Sequence, residues 1–133
     1  MRSDRSRFLL LIMVLIMGLA GCGGGSKVQT AAPMSNGGNI VTLVASSFKF
    51  SPNEIRVPNP GLLAIEIKNA SGSEHNLTVK DARGKVLKDV NIRPRGTVIT
   101  NLDLPEPGTY TFFCNKMFHS TMGMKGRIVV GRE

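Results

Sequence analysis

From residue 39 onward, apolar and polar side chains alternate in short runs. In LLAIEIK (62–68), Leu63, Ile65 and Ile67 occupy every second position, with Ala64, Glu66 and Lys68 between them, the two-residue period of a half-buried antiparallel strand. Similar runs occur at IVTLVA (40–45), HNLTVK (75–80), KVLKDV (85–90), TVITNLDL (97–104), TYTFFC (109–114) and GRIVV (126–130), and FKF and EIRV add one or two more. The segments SPN, PNPG, NASGS, DARGK, RPRG and PEPG between them are rich in turn formers. No helical period is long enough to matter, and no internal repeat is present. Seven to eight short strands at this spacing predict an all-β fold, a two-sheet Greek-key β-sandwich. Its large core pieces are expected to be Phe48, Phe50, Tyr110, Phe112 and Phe113, with Tyr110 and Phe112 on one face of their strand and Phe113 on the other.

The chain ahead of residue 39 has a different pattern. Arg2, Arg5 and Arg7 precede an unbroken apolar run at 8–20, the layout of an export signal, and the run is too short for a spanning helix, which needs roughly 20 residues. It ends in LAGC (19–22), which resembles the lipobox of bacterial lipoproteins. That resemblance implies a signal peptide at 1–21, a lipidated Cys22 at the mature N-terminus and attachment to a membrane. Residues 22–38 continue as CGGGSKVQTAAPMSNGG, small and polar without hydrophobic period, and are expected to form a flexible tether. The domain is then 39–133.

Composition adds little beyond this. At 133 residues with 41% hydrophobic and 20% charged positions, the chain suits one globular domain. The formal charge of +8 becomes +6 without the leader, which contains three arginines and one aspartate. Such a charge suits an acidic partner or an anionic membrane surface. Nucleic acid is not expected, because the basic residues are scattered singly and aromatics are few. With Cys22 committed to lipid, Cys114 has no cysteine partner, so stability must come from packing.

The chemistry concentrates in CNKMFHSTMGM (114–124), which holds one of two cysteines, one of two histidines and three of seven methionines. Cys114 ends a strand, His119 follows five residues later and Met124 five after that. The other histidine, His75, opens the strand HNLTVK, whose end a Greek-key sandwich can place beside this loop. A thiolate, two imidazoles and a thioether form a soft to borderline donor set, the set used in blue-copper electron transfer. Taken singly, His75 could be a surface residue and Cys114 a small buried hydrophobe; together they point to a metal.

GTYTFFCNKMFHSTMGMKGRIVV (108–130) resembles the copper-binding signature of the cupredoxins, the superfamily of plastocyanin, azurin and rusticyanin. FKFSPNEIRV (48–57) and the EHN at 74–76 resemble the family's N-terminal half. The resemblance implies one copper ion in a type 1 site, with His75, Cys114 and His119 as ligands and Met124 as the axial sulfur. It also implies that Asn76 braces the ligand loops by hydrogen bonding. Four residues separate Cys114 from His119, as in azurin and rusticyanin rather than plastocyanin, and Met117 and Phe118 stand where proline and glycine are common. Met122, three residues after His119, is a rival for the axial position.

Met117, Phe118 and Met122 would form an apolar rim around His119, and the resemblance implies that electrons enter or leave at His119 and that transient redox partners dock on this rim. The expected function is a monomeric, lipid-anchored one-electron carrier outside the cytoplasmic membrane, on its periplasmic or outer face, and not an enzyme. A copper protein for storage or delivery is the alternative. A Cys–His hydrolase would need an orienting third group and a nucleophile signature around Cys114, and none is present.

Overall fold

A computed structural model describes residues 26–35 and 37–131, and among these every regular element is a strand. The expected runs all form strands: β3 (Asn39–Ser46), β4 (Lys49–Ser51), β5 (Glu54–Val57), β6 (Gly61–Asn69), β7 (His75–Lys80), β8 (Val86–Ile92), β9 (Thr97–Leu104), β10 (Gly108–Phe113) and β11 (Lys125–Val130). Two further strands lie inside the expected tether, β1 (Val28–Thr30) and β2 (Ala32–Pro33). The total is eleven rather than seven or eight. Residues 28–33 are therefore not free linker. β1 adds to one sheet and β2 to the other, and Ala31 between them is buried in the core.

Six strands form one sheet in the order β1-β5-β11-β10-β7-β8, and β2-β3-β6-β9 form the other, with β4 paired to β3. The pairing is mixed. β6 runs antiparallel to β9 but parallel to β3, with Val41 opposite Ile65 and Leu43 opposite Ile67. The purely antiparallel setting expected for LLAIEIK thus gives way to a central strand with a parallel neighbour. β1 and β11 both run parallel to β5.

The alternation does what period two requires. Leu63, Ile65 and Ile67 of β6 share one buried core with Leu77, Val79, Phe112 and Ile128 of the opposite sheet. Phe112 and Tyr110 are buried together, whereas Phe113 is half-buried on the other face beneath Lys80. Phe48 is not a core residue, being 39% exposed. It stands at φ 61° in the turn between β3 and β4, where the backbone aims its ring out of the sandwich.

Two contacts position the metal-binding end. Gly126 lies opposite Phe112 in the β10–β11 ladder, and a Cβ there would fall 2.3 Å from Phe112 Cζ and 2.4 Å from the Asn53 carbonyl. The missing side chain leaves that space to the Phe112 ring and the Asn53 carbonyl. Beside it, buried Glu54 pairs with Arg56 of its own strand at 2.8 Å and accepts a 2.8 Å hydrogen bond from Arg127 Nε of β11. These guanidinium groups hold the carboxyl below the ordinary carboxylate range, Arg127 first.

Candidate metal centre

β7 and β10 are antiparallel neighbours, with Phe113 opposite Thr78. His75, at the start of β7, and Cys114, just past the end of β10, therefore reach the same end of the sandwich. The loop from 115 to 124 folds back over that end through its own backbone. His119 N–H donates to Lys116 O, Met122 N–H to Phe118 O, Met124 N–H to His119 O and Cys114 N–H to Met124 O, each at 3.0 Å. Phe118, at φ 65°, makes the reversal, so a bulky residue occupies a backbone region that normally favours glycine.

The result brings three of the four expected ligands together. One donor atom from each of His75, Cys114 and His119 lies within 4.8 Å of the others. His75 Nδ1 is 3.2 Å from His119 Nδ1, which is 3.4 Å from Cys114 Sγ. His75 and Cys114 are buried and His119 half-buried. Three lone pairs aimed at one small volume oppose each other unless protons or a cation lie between them, and a single metal ion satisfies all three. Met124 is completely buried, its backbone bonded to both Cys114 and His119, whereas Met122 is 58% exposed. Of the two candidate thioethers the buried one is that of Met124, and with it the donor set is that of type 1 copper.

The far nitrogen of His75 is also held. Its Nε2 lies 2.8 Å from Ser71 Oγ, and the Ser71 hydroxyl donates in turn to Asn69 Oδ1 at 2.9 Å. With the hydroxyl proton so directed, the oxygen accepts from Nε2–H, which leaves the Nδ1 lone pair free for metal. Asn69 Nδ2 donates to the carbonyls of Ser73 and Arg93 at 2.8 and 3.0 Å, fixing this support to two loops. Burial, and secondarily the neighbouring His119, hold the His75 pKa below its ordinary 6.5, so the ring is neutral and ready to ligate.

Asn76 points to the other side. Its Oδ1 accepts from Asn115 N–H at 2.7 Å, and its Nδ2 donates to Asp89 at 2.9 Å and Thr78 at 3.0 Å. One side chain therefore ties β7 and β8 to the residue after Cys114. Ser71 and Asn69 were not visible as site residues in the sequence. NASGS reads as a turn, and only its four-residue separation from His75 hinted that it could return to the ring.

Three apolar side chains of the loop, Met117, Phe118 and Met122, are exposed. Met117 is 79% and Phe118 70% exposed, and Phe48 stands edge-on to the His119 ring at a centroid distance of 5.3 Å. Lys116 of the loop pairs with Glu74, which precedes His75. This pairing raises the lysine pKa and lowers that of the glutamate. Cys22 and the leader lie outside the described residues.

A family model for the cupredoxin-like domain matches residues 9–130. The chain belongs to the cupredoxin-like family. Among solved structures, this cupredoxin is similar to dithionite-reduced auracyanin of the photosynthetic bacterium Roseiflexus castenholzii, with 19% identity, a TM-score of 0.62, and 70% of this chain and 97% of that one covered. Auracyanin A, a blue copper protein of Chloroflexus aurantiacus, matches at 21% identity and a TM-score of 0.58 over 69% and 99%. The metal-binding domain of the Cu(I)-exporting P-type ATPase CopA of Streptococcus pneumoniae, determined with Cu(I), matches at 17% and 0.60 over 82% and 100%. No curated protein matches in sequence. At these identities the neighbours establish the cupredoxin fold, and the chain's own donor set establishes the fit to copper.

Proposed function

We propose that the protein is a one-electron carrier with a mononuclear type 1 copper centre, tethered outside the cytoplasmic membrane by lipid on Cys22. The observation that carries the reading is the convergence of His75, Cys114 and His119, with Met124 buried at the end of the ligand loop and Met117, Phe118 and Met122 exposed on it. Copper bound there would supply a Cu(II)/Cu(I) couple. The chain's part is to hold the donors still, so that gaining or losing an electron requires little movement. The hydrogen-bonded loop from Cys114 to Met124, the Ser71 support of His75 and the Asn76 bracket all serve that end. Half-buried His119, ringed by Phe48, Met117, Phe118 and Met122, is the side chain through which an electron would pass to a docked partner.

The test is the visible spectrum of the purified protein with Cu(II). Intense thiolate charge-transfer colour is expected, and Cys114→Ser should abolish it while the β-sheet circular dichroism persists. A pale, ordinary cupric spectrum in the wild type would refute the reading. A second reading, copper storage or delivery, is favoured by the exposed sulfurs of Met117 and Met122 and by the likeness to a Cu(I)-bound exporter domain. Copper lost to a chelator within seconds would favour delivery; retention for hours would favour electron transfer.

A further inference from the structure

β1 fixes the end of the domain at which the N-terminal chain enters the sandwich. It runs parallel to β5 and β11, with Val28 level with Glu54 and Glu54 level with Arg127. β11 begins at Lys125, directly after Met124, so β1 also begins at the metal end. Lys27 O accepts hydrogen bonds from Asn53 N–H at 3.0 Å and Glu54 N–H at 3.1 Å. Ser26 lines one surface recess with Lys125 and Gly126. The chain therefore enters the sandwich about two strand spacings, ~10 Å, from the strand that leaves the ligand loop.

We propose that the membrane anchor holds the copper end of this domain toward the bilayer, and that the partner docking on the Met117, Phe118 and Met122 rim is a membrane-embedded redox protein. The orientation rests on the anchor at Cys22 proposed above. From Cys22 to Ser26 there are four residue steps, which reach at most about 14 Å when fully extended. The eight residues of β9 make the sandwich about 25 Å long. Turning the copper end outward would lift Ser26 roughly that far from the surface, beyond the reach of four residues. With the segment undocked, the chain to Asn39 would be long enough for any orientation.

Charge agrees with this placement. Lys27, Lys49 and Lys125 are all exposed at this end, suiting an anionic headgroup layer. A soluble partner approaching from the aqueous side would meet the opposite end, whereas a membrane-embedded one would meet the rim. Lipid itself is a poorer occupant. Exposed Asn115 and the Lys116–Glu74 pair interrupt the apolar residues and would lose water on immersion.

The experiment uses the full copper-loaded chain in phosphatidylcholine vesicles carrying ferrocene on a fraction of the headgroups. The reduced protein gives one electron to ferrocenium, and the rate is followed by the returning blue absorbance. Inserting twelve Gly/Ser residues between Gly25 and Ser26 lengthens the link from four to sixteen residues. The ferrocenium rate is expected to fall about eightfold, by the −3/2 power of linker length, while the rate with soluble hexacyanoferrate(III) does not fall. Ala31→Pro, which removes the Ala31 N–H bond to Arg56 O and so loosens β1, should act in the same direction. Failure of the protein to float with vesicles would overturn the anchor. Flotation with equal ferrocenium rates for wild type and insertion would overturn the orientation alone. A nitroxide at Phe118→Cys that is accessible to oxygen but not to aqueous nickel would place the rim in lipid and overturn the protein partner.

Discussion

Replacing Ser71 with alanine removes one oxygen atom that does not touch the metal, yet it should weaken the site measurably. In the wild type, His75 Nε2–H donates to Ser71 Oγ at 2.8 Å in a buried setting. Without the hydroxyl that donor has no partner, at a cost of about 1–3 kcal/mol. Asn69 Oδ1 suffers less, because it retains the Ser71 backbone N–H at 2.9 Å. We therefore expect the metal-free protein to lose about 1–3 kcal/mol, which for a domain near 100 residues lowers the melting temperature by roughly 4–24 °C. The freed ring can also rotate or exchange tautomers, so Nδ1 no longer faces Cys114 and His119 all the time. Loss of such a supporting bond typically weakens metal binding about 10- to 100-fold. The assay is competition with a calibrated chelator, paired with denaturant unfolding of the metal-free form. Ser71→Thr keeps the hydroxyl and should restore affinity. A Ser71→Ala protein that binds copper within twofold of wild type would show that the hydrogen bond does not position His75.

The remaining predictions concern the axial sulfur, the packing beneath the site and the ion pair beside it. Met124→Leu should shift the thiolate absorption and the reduction potential, whereas Met122→Leu should leave both unchanged, because Met124 is fully buried with its backbone bonded to Cys114 and His119, and Met122 is 58% exposed. A spectral change confined to the Met122 variant would reverse the assignment. Gly126→Ala forces a Cβ to within 2.3 Å of the Phe112 ring and should destabilise the fold by about 1–3 kcal/mol in urea titration; a neutral result would mean that Phe112 has room to move. The Glu54 carboxyl has its pKa lowered from 4.5 by Arg127 and Arg56. The unfolded chain thus binds the proton more readily, and the stability from this group, full above pH 4.5, is lost as pH falls toward the lower folded value. Glu54→Gln should flatten that acid limb of the stability curve, and an unchanged acid transition would count against the pairing.

Strand-by-strand agreement was close wherever side chains alternate. In β6, Leu63, Ile65 and Ile67 are buried on one face, and in β9, Leu102 and Leu104 are buried while Asn101 and Asp103 are exposed, so the hydrophobic spacing itself specifies a strand and the face it buries. The ligands were legible for a different reason. Thiolate, imidazole and thioether side chains are few in this chain, and only one donor chemistry combines them.

What the sequence by itself determined is the all-β architecture, the seven to eight expected strands, and His75, Cys114 and His119 as a convergent set, because each depends on side-chain type and spacing. Tertiary structure alone decided that Val28–Thr30 and Ala32–Pro33 are strands. Their side chains are exposed and carry no period, and backbone hydrogen bonding to a waiting sheet edge holds them there. It likewise buried Met124 while leaving Met122 exposed, and it gave Ser71 its place behind His75. Burial and the aim of a ring nitrogen are properties of packed neighbours, and those neighbours are far apart along the chain.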